Sequence, residues 1–392
     1  MPRSGSFRRT LRDYTAFFPS DLPPEPPVQL DGDLALLLSD ADRALGAINT
    51  IASILPNPEL LVAMFIQKEA LLSSQIEGTQ SSLVDVLGAD EENEPTQDIG
   101  EVVNYIHAMR FGLKRIRDDE FPMSLRLFRE IHEILLTQVR GGVSVLTPGE
   151  FRTKQNWIGG SNINSARFVP PPPHEMQACL DNLEKYLHTE DECPVLVRCA
   201  LIHYQFETIH PFNDGNGRLG RLLITFYLVW RGLLDEPMLY LSAYLKTHQQ
   251  EYYDRLQQVR TDGNFEAWVR FFLEGIVTVS KQVVQTTKSI QALQQRDMDR
   301  ILIEGVGHAG VSLLRHLMEQ PVMKVKDVEK ALGVSYSKAN NLIAELEKLD
   351  ILRQISKGKR NRKFSYREYV SILAEGTEPM HLTANVEHTQ SE

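Results

Sequence analysis

The stretch that decides the fold is HPFNDGNGRLGR at residues 210–221, which leads directly into the apolar run LLITFYLVW at 222–230. Gly215 and Gly217 permit a tight turn in which successive backbone N–H groups point at one anion, because no Cβ blocks the approach. The apolar run predicts a buried helix from Gly217 to Trp230, with its positive end beneath that turn. The stretch therefore predicts a phosphate-binding site at the start of a buried helix.

Four side chains of this stretch suit phosphoryl chemistry. Arg218 and Arg221 are three positions apart and share a helix face, so both guanidinium groups can bind phosphate oxygens. Asp214 offers a hard oxygen ligand, and Mg²⁺ needs few protein ligands when substrate phosphates complete its shell. A neutral His210 can accept the proton of an attacking hydroxyl, an effect of about 10²- to 10⁴-fold in rate. Each residue type alone is usually structural, but their combination in one short stretch favours a site.

The stretch matches the signature HxFx(D/E)GNGRxxR at every defined position, and the chain resembles the Fic family. The resemblance implies a mainly α fold with a Fic-type helical core and a short β-hairpin flap. It also implies a protein adenylyltransferase that moves AMP from ATP, with Mg²⁺, onto a Tyr, Ser or Thr hydroxyl of a target protein or of itself. In that reaction His210 is the general base, Asp214 is the metal ligand and Arg221 holds the γ-phosphate. The nucleotide-binding residues that it implies here are Gly215, Asn216, Gly217, Arg218, Leu219, Gly220 and Arg221.

A second motif, SSQIEG at residues 73–78, resembles the family's inhibitory motif (S/T)xxxE(G/N). A helix beginning near Pro58 and ending near Gly78 places Ser73 and Glu77 on one face, because they are four positions apart. The resemblance implies that Ser73, Glu77 and Gly78 are inhibitory, and that Glu77 pairs with Arg221 where the γ-phosphate of ATP would bind. The alternative is that Glu77 is a solvated acid at a helix end.

The segment from Gly141 to Pro173 has no helical period, and we predict an irregular loop or a short hairpin. By resemblance, residues 149–160 form the flap that aligns the target polypeptide, through hydrogen bonds from an exposed edge. Ile158, Gly159 and Gly160 are therefore nucleotide-site candidates, although a merely structural loop is the alternative. Tyr252 and Tyr253 occupy the place where family members contact the nucleoside, but either ring can equally belong to the core.

Composition excludes several classes of protein. The chain has 392 residues, a net charge of −10 and 42% hydrophobic residues, which is typical of globular protein and argues against a surface built wholly for polyanions. Its three cysteines show no CxxC spacing, so no disulfide framework or structural zinc site is expected. The first residues lack the apolar core of a secretory signal, and no run reaches membrane-spanning length. We expect a cytoplasmic protein without membrane contact.

The patterns along the chain are mainly helical, including one helix predicted from Glu251 to near Gln295, and the acidic residues 90–94 predict a solvated loop. The predicted units are an N-terminal helical region with the inhibitory helix (1–120), a Fic catalytic core (121–285), a helical linker (286–304), a winged helix domain (305–374) and a disordered tail (375–392).

The winged helix domain is inferred from a helix, turn and helix at 325–349, followed by a two-stranded wing at 351–366. Seven basic residues and no acidic residue lie between Arg353 and Arg367, which suits phosphate contacts on DNA. Many such modules bind proteins or support a homodimer instead. DNA, another protein and a second copy of the chain therefore all stay open as partners of this domain.

A second class of function competes with the transferase. The chain can instead be a DNA-binding regulator whose Fic core senses nucleotide, although the intact His210, Asp214 and both arginines favour the enzyme. Two neighbouring possibilities are transfer of UMP or another phosphate-linked group, and removal of AMP by the same site. They stay open because the backbone N–H groups of the predicted turn recognise phosphates more than bases.

Overall fold

A computed structural model gives the architecture of residues 3–55, 57–88, 96–137, 147–356, 358, 361–379 and 390–391. Most of these residues are helical, which confirms the prediction of a mainly α fold. Among them, no helix combines the length and the apolar character needed to cross a lipid bilayer. The acidic loop predicted at 90–94 lies outside the described residues.

The described chain begins with an antiparallel hairpin of β1 (Gly5–Arg9) and β2 (Thr15–Pro19), where the sequence had suggested only a helical region. In β2, Ala16 and Phe17 are fully buried, and the Phe17 N–H donates to the Val169 carbonyl over 2.9 Å. A strand is recognised in a sequence by buried and exposed residues that alternate. These strands have only five residues each, and the buried residues of β2 are adjacent, so no alternation marks them.

Four helices follow, namely α1 (Gly32–Ser53), α2 (Pro58–Ile76), α3 (Leu83–Leu87) and α4 (Gln97–Arg117). The predicted helix from Pro58 corresponds to α2, which packs against α4. Its C-terminal half is buried on all sides, polar residues included, so the predicted inhibitory motif lies on a central helix and not on the surface.

The region predicted as the core contains the next helices and one short strand, which are α5 (Leu125–Leu135), β3 (Asn156–Trp157), α6 (Pro173–Leu187), α7 (Val195–Ile209), α8 (Asn216–Trp230), α9 (Ser242–Thr247) and α10 (Gln249–Asp262). Helices α7 and α8 pack together and are buried around almost their whole circumference. The apolar run at 222–230 therefore forms a buried helix, as predicted.

Helix α11 (Phe265–Ile303) is continuous from residue 286 to its end, so the linker predicted at 286–304 is the last part of a helix that packs along α1. The predicted helix from Glu251 to near Gln295 is wrong as a single element. Gly263, at φ 69°, ends α10 in the left-handed conformation. The Asn264 side chain then accepts from the Ala267 N–H over 3.1 Å and starts α11.

The C-terminal unit contains α12 (Gly307–Glu319), β4 (Val322–Lys324), α13 (Val325–Leu332), α14 (Tyr336–Lys348), β5 (Leu352–Gln354), β6 (Lys363–Tyr366) and α15 (Arg367–Ala374). Its sheet has three strands in the order β4-β6-β5, whereas the sequence predicted two, because β4 has only three residues. Residues 357, 359 and 360 of the basic turn lie outside the described chain. Contact with DNA or protein through this unit, and homodimer formation, stay predictions.

The tail predicted to be disordered begins with residues that are ordered against α2. Lys68 Nζ donates to the Glu375 carbonyl over 2.8 Å, and Gln75 Nε2 donates to the Thr377 carbonyl over 2.9 Å. Further on, β7 (Gln390–Ser391) pairs antiparallel with β3. Polar composition suggested disorder for 375–379, but buried donors of α2 satisfy the backbone carbonyls of this segment.

Candidate functional site

The loop between α7 and α8 is fixed by two left-handed residues and one side chain. His210 (φ 50°, ψ 60°) ends α7, and Gly215 (φ 75°) precedes α8. The Asn216 side chain accepts from the Phe212 N–H over 2.9 Å and donates to the Phe212 carbonyl over 2.8 Å. This side chain therefore closes the loop, so the predicted phosphate contact of Asn216 is available only to its backbone N–H at the start of the helix.

His210 lines a cavity together with Gly215, Asn216 and Gly217 at the start of α8. Its side chain is buried, and neither ring nitrogen has a hydrogen-bond partner in the described part of the chain. Burial lowers the pKa of His210 to about 3, and the charges of Arg152 and Arg260 add to this effect. The imidazole is therefore neutral near pH 7 and can accept a proton.

Arg152 stabilises the loop between α7 and α8 through hydrogen bonds to backbone carbonyls, a role that the sequence did not indicate. Its Nε donates to the His210 carbonyl over 2.9 Å and its Nη2 to the Pro171 carbonyl over 2.6 Å. The Arg152 side chain is only 2% exposed, so this residue, which we had placed in the target-aligning flap, is a buried support of the His210 backbone.

His132 of α5 is a second support that the sequence did not indicate. Its Nδ1 accepts from the Gly149 N–H over 2.9 Å, so the neutral ring carries its proton on Nε2, which lies 2.9 Å from the Asp214 carbonyl. The ring also stacks on Phe212 with a centroid distance of 3.7 Å. In the sequence, His132 lies among apolar residues of a helix and is expected in the hydrophobic core. No pattern indicates that it contacts Phe212 and Asp214, which lie about eighty positions later in the chain.

Asp214 directs its carboxylate to the rim of the same cavity and is nearly half exposed. Its Oδ1 accepts from the Gly215 N–H over 2.7 Å, and Oδ2 lies 3.7 Å from Arg218 Nη2. No group of three or more His, Cys, Asp or Glu side chains in the described ranges forms a ready metal cage. One open carboxylate beside an anion site nevertheless fits Mg²⁺, which keeps water and phosphate ligands.

Arg221 is bound from α2 by the predicted inhibitory residues. Its Nη2 lies 2.6 Å from Glu77 Oε1 and 3.0 Å from the Ser73 carbonyl, and its Nε donates to Ser73 Oγ over 2.8 Å. A Cβ added to Gly217 would lie 2.4 Å from Glu77 Oε1, so this carboxylate lies directly against the start of α8. An anionic group of the protein itself therefore occupies the predicted phosphate position. Gly78 (φ 100°) follows as the chain leaves α2.

The structure places the two arginines of the motif differently, whereas the sequence suggested that both could bind phosphate from one helix face. Arg221 lines the cavity, whereas Arg218 is absent from its lining within the described residues. Arg218 is buried, and its Nη1 lies 3.4 Å from Glu101 Oε2 of α4. The shared face was inferred from spacing alone, which cannot reveal a carboxylate on another helix.

Ile158 also lines the cavity. Gly159 and Gly160 follow it with positive φ angles of 67° and 81°, in the segment between Ile158 and its partner Phe168. Leu219 is fully buried core, and Gly220 packs against Glu207, because a Cβ there would lie 2.2 Å from Glu207 Oε1. Neither these two residues nor the two glycines are part of the cavity lining among the described residues.

Tyr252 and Tyr253 both line the cavity, but they differ in exposure. Tyr252 is 1% exposed, and its hydroxyl lies 2.8 Å from His203 Nε2. Since His203 Nδ1 lies 3.0 Å from the Gly220 carbonyl, which only accepts, Nδ1 carries the proton and Nε2 accepts from Tyr252. Tyr252 is thus part of the core, and Tyr253 is the more accessible ring.

Two regions of the chain match known protein-family models. Residues 35–114 match the Fic/DOC family N-terminal region, and residues 122–228 match the Fic/DOC family. Over 194 residues, 49% of the chain, it is 32% identical to the protein adenylyltransferase Fic of Aedes aegypti and to that of Culex quinquefasciatus. The alignment covers 34% of each relative, so the chain spans about a third of their length.

The fold is similar to that of a Fic family protein from Desulfovibrio desulfuricans G20, with a TM-score of 0.56 and 19% identity. That similarity covers 86% of this chain and 97% of the other. At this identity the similarity shows the fold alone. Residues 35–114 and 122–228 are a Fic N-terminal region and a Fic domain.

Proposed function

We propose that this chain is a self-inhibited protein adenylyltransferase that moves AMP from ATP onto a Tyr, Ser or Thr hydroxyl of a target protein, and onto itself. The observation that carries the proposal is the Glu77 carboxylate, which lies 2.6 Å from Arg221 at the start of α8. A site that accepts a carboxylate between a guanidinium and a helix N-terminus also accepts a phosphate. The relatives that the chain matches are named as adenylyltransferases, which favours ATP.

His210 would accept the proton of the target hydroxyl while its oxygen attacks the α-phosphorus of ATP. The bond from that phosphorus to the pyrophosphate oxygen then breaks, and pyrophosphate leaves with the electron pair. The amides of Gly215, Asn216 and Gly217 and the Arg221 guanidinium would hold the phosphate charge. Asp214 would bind Mg²⁺, which when present neutralises part of the charge on the phosphates.

Self-inhibition follows from competition for Arg221. As long as Glu77 and Ser73 hold its guanidinium, a γ-phosphate must displace a charge-assisted hydrogen bond to bind there. ATP can then bind weakly or in a geometry unsuited to transfer, because the near-attack position of the α-phosphorus depends on the whole triphosphate.

The proposed target site is the short hairpin around β3, whose Ile158 and Phe168 exchange both backbone hydrogen bonds. An extended target peptide would add to a free edge of this hairpin. Since β7 already pairs with β3, a target that uses this edge has to replace β7.

The test is incubation of wild type, Glu77→Gly and Glu77→Gly/His210→Ala with ATP labelled at either the α- or the γ-phosphate. With Glu77→Gly, we expect label from the α-phosphate, and none from the γ-phosphate, on the variant itself and on lysate proteins. The double variant should label neither itself nor the lysate proteins. Label that depends on UTP instead would indicate another nucleotide, and an absence of label in folded Glu77→Gly would favour the regulator. Mass spectrometry of labelled lysate proteins would identify the target and the modified residue.

A further inference from the structure

A buried carboxylate that the reaction above does not use lies beside its proposed base. Glu207 is in the last turn of α7, with its side chain 8% exposed, and its Oε2 lies 4.0 Å from His210 Nδ1. Its Oε1 has no hydrogen-bond partner within the described ranges, and Glu207 lines the same cavity as His210. An unpartnered buried carboxylate is costly, which calls for a functional explanation.

We propose that Glu207 is a positioning residue that orients the His210 ring and stabilises the imidazolium formed during transfer. This inference rests on the proposed function. It assigns to Glu207 no contact with ATP or with the target.

The geometry determines which ring nitrogen acts. In neutral imidazole one nitrogen carries hydrogen and the other has a lone pair. Because Nδ1 faces the Glu207 carboxylate, the favoured form carries N–H at Nδ1 and leaves the Nε2 lone pair for the target hydroxyl. The hydroxyl proton moves to Nε2, and the positive charge that forms on the ring lies beside the carboxylate. The 4.0 Å separation must shorten for a hydrogen bond, as often happens when substrate closes a site.

The backbone leaves Glu207 little freedom to move away. A Cβ added to Gly220 of α8 would lie 2.2 Å from Glu207 Oε1, so the carboxylate lies directly on the helix backbone where only glycine fits. Gly220, the third glycine of the stretch 210–221, therefore has an explanation that is independent of phosphate. It makes room for the acid beside His210.

The surroundings of this pair are predominantly cationic. The ionisable groups that influence His210 or Glu207 from other parts of the fold are Arg152, Arg221, Arg260 and Glu77. The guanidinium groups of Arg152 and Arg260 disfavour an imidazolium at His210, so a carboxylate at this position offsets their effect in the step that creates one.

Burial raises the pKa of Glu207 to about 7; the charge of Glu77 also raises it, whereas Arg221 and Arg260 lower it. The carboxylate is therefore ionised above this pKa and neutral below it. His210, with a pKa of about 3, stays neutral near pH 7. A loss of transfer as the pH falls through the pKa of Glu207 would thus report on Glu207 and not on the base itself.

The experiment measures the pH dependence of AMP transfer in the Glu77→Gly background, with and without Glu207→Gln, and with the exposed Glu304→Gln as the matched control. Because Glu77→Gly removes a charge that raises the pKa of Glu207, transfer in Glu77→Gly and in the Glu304 control should fall as the pH drops below a midpoint under 7. Glu207→Gln should lower transfer about 10- to 100-fold at pH 8 and remove that fall, since no carboxylate remains to titrate.

A merely structural role would lower transfer at every pH and leave the fall in place, and that result would overturn the inference. If Glu207→Gln does not fold, Glu207→Asp decides, because an aspartate carboxyl has a lower intrinsic pKa than a glutamate carboxyl. A fall of transfer that moves to a different pH supports the inference, whereas a fall at the same pH as in Glu77→Gly overturns it. Absence of AMP transfer in Glu77→Gly itself would refute the proposed function, which is a separate outcome.

Discussion

Replacing Glu77 with glycine should strengthen ATP binding by an amount that the structure allows us to estimate. Glu77 Oε1 and Arg221 Nη2 are 2.6 Å apart, the arginine side chain is 2% exposed and the glutamate side chain is 34% exposed. A hydrogen bond between charged groups contributes about 1.5–3 kcal/mol. Because water screens the partly exposed carboxylate, we take about 2 kcal/mol, which corresponds to roughly 30-fold in affinity.

Isothermal titration calorimetry of ATP and AMP binding tests this estimate. The gain should be large for ATP and small for AMP, since only ATP has the γ-phosphate that competes with Glu77 for Arg221. Glu77→Gln keeps the size of the side chain but loses its charge, so it should give an intermediate gain. Equal ATP affinity in folded wild type and Glu77→Gly, or an equal gain for AMP, would refute the competition.

Three further predictions concern helix packing and the edges of the site. His132→Ala removes a stacked ring and its hydrogen bonds to the Gly149 N–H and the Asp214 carbonyl, and should lower the free energy of unfolding by about 3 kcal/mol in urea denaturation. The exposed His107→Ala is the control and should change this free energy little. Gly112→Ala should lower the free energy of unfolding by about 1–3 kcal/mol, because its Cβ would lie 2.3 Å from Phe226. Gly100→Ala on the same helix places its Cβ in open space and should leave stability unchanged or increase it. Similar melting temperatures of the two variants would contradict this prediction. Truncation after residue 379 removes β7 from the β3 edge and should increase target labelling in Glu77→Gly several-fold; unchanged labelling would exclude competition at that edge.

The sequence was most informative where function and local geometry coincide. Gly215 and the apolar run after it predicted the start of α8, and the spacing of Ser73 and Glu77 predicted one helix face, since both depend on residues close in the chain. The pairing of Glu77 with Arg221 came only from the family resemblance, because spacing within α2 does not indicate what the helix faces.

The parts that the sequence did not predict depend on contacts between distant segments. Arg152 and His132 support the site through backbone carbonyls, and no residue pattern marks such partners. Glu101 takes Arg218 away from the cavity for the same reason. The N-terminal hairpin was missed because its strands are short and their buried residues do not alternate with exposed ones, so neither length nor alternation distinguishes them from a loop.

The most direct measurement is a crystal structure of Glu77→Gly with a non-hydrolysable ATP analogue and Mg²⁺. We expect the triphosphate across the start of α8, with Arg221 on the γ-phosphate, Asp214 on the metal and His210 Nε2 facing the α-phosphorus. A nucleotide bound elsewhere, or one bound at α8 with Arg221 still held away from its phosphates, would contradict the proposed function.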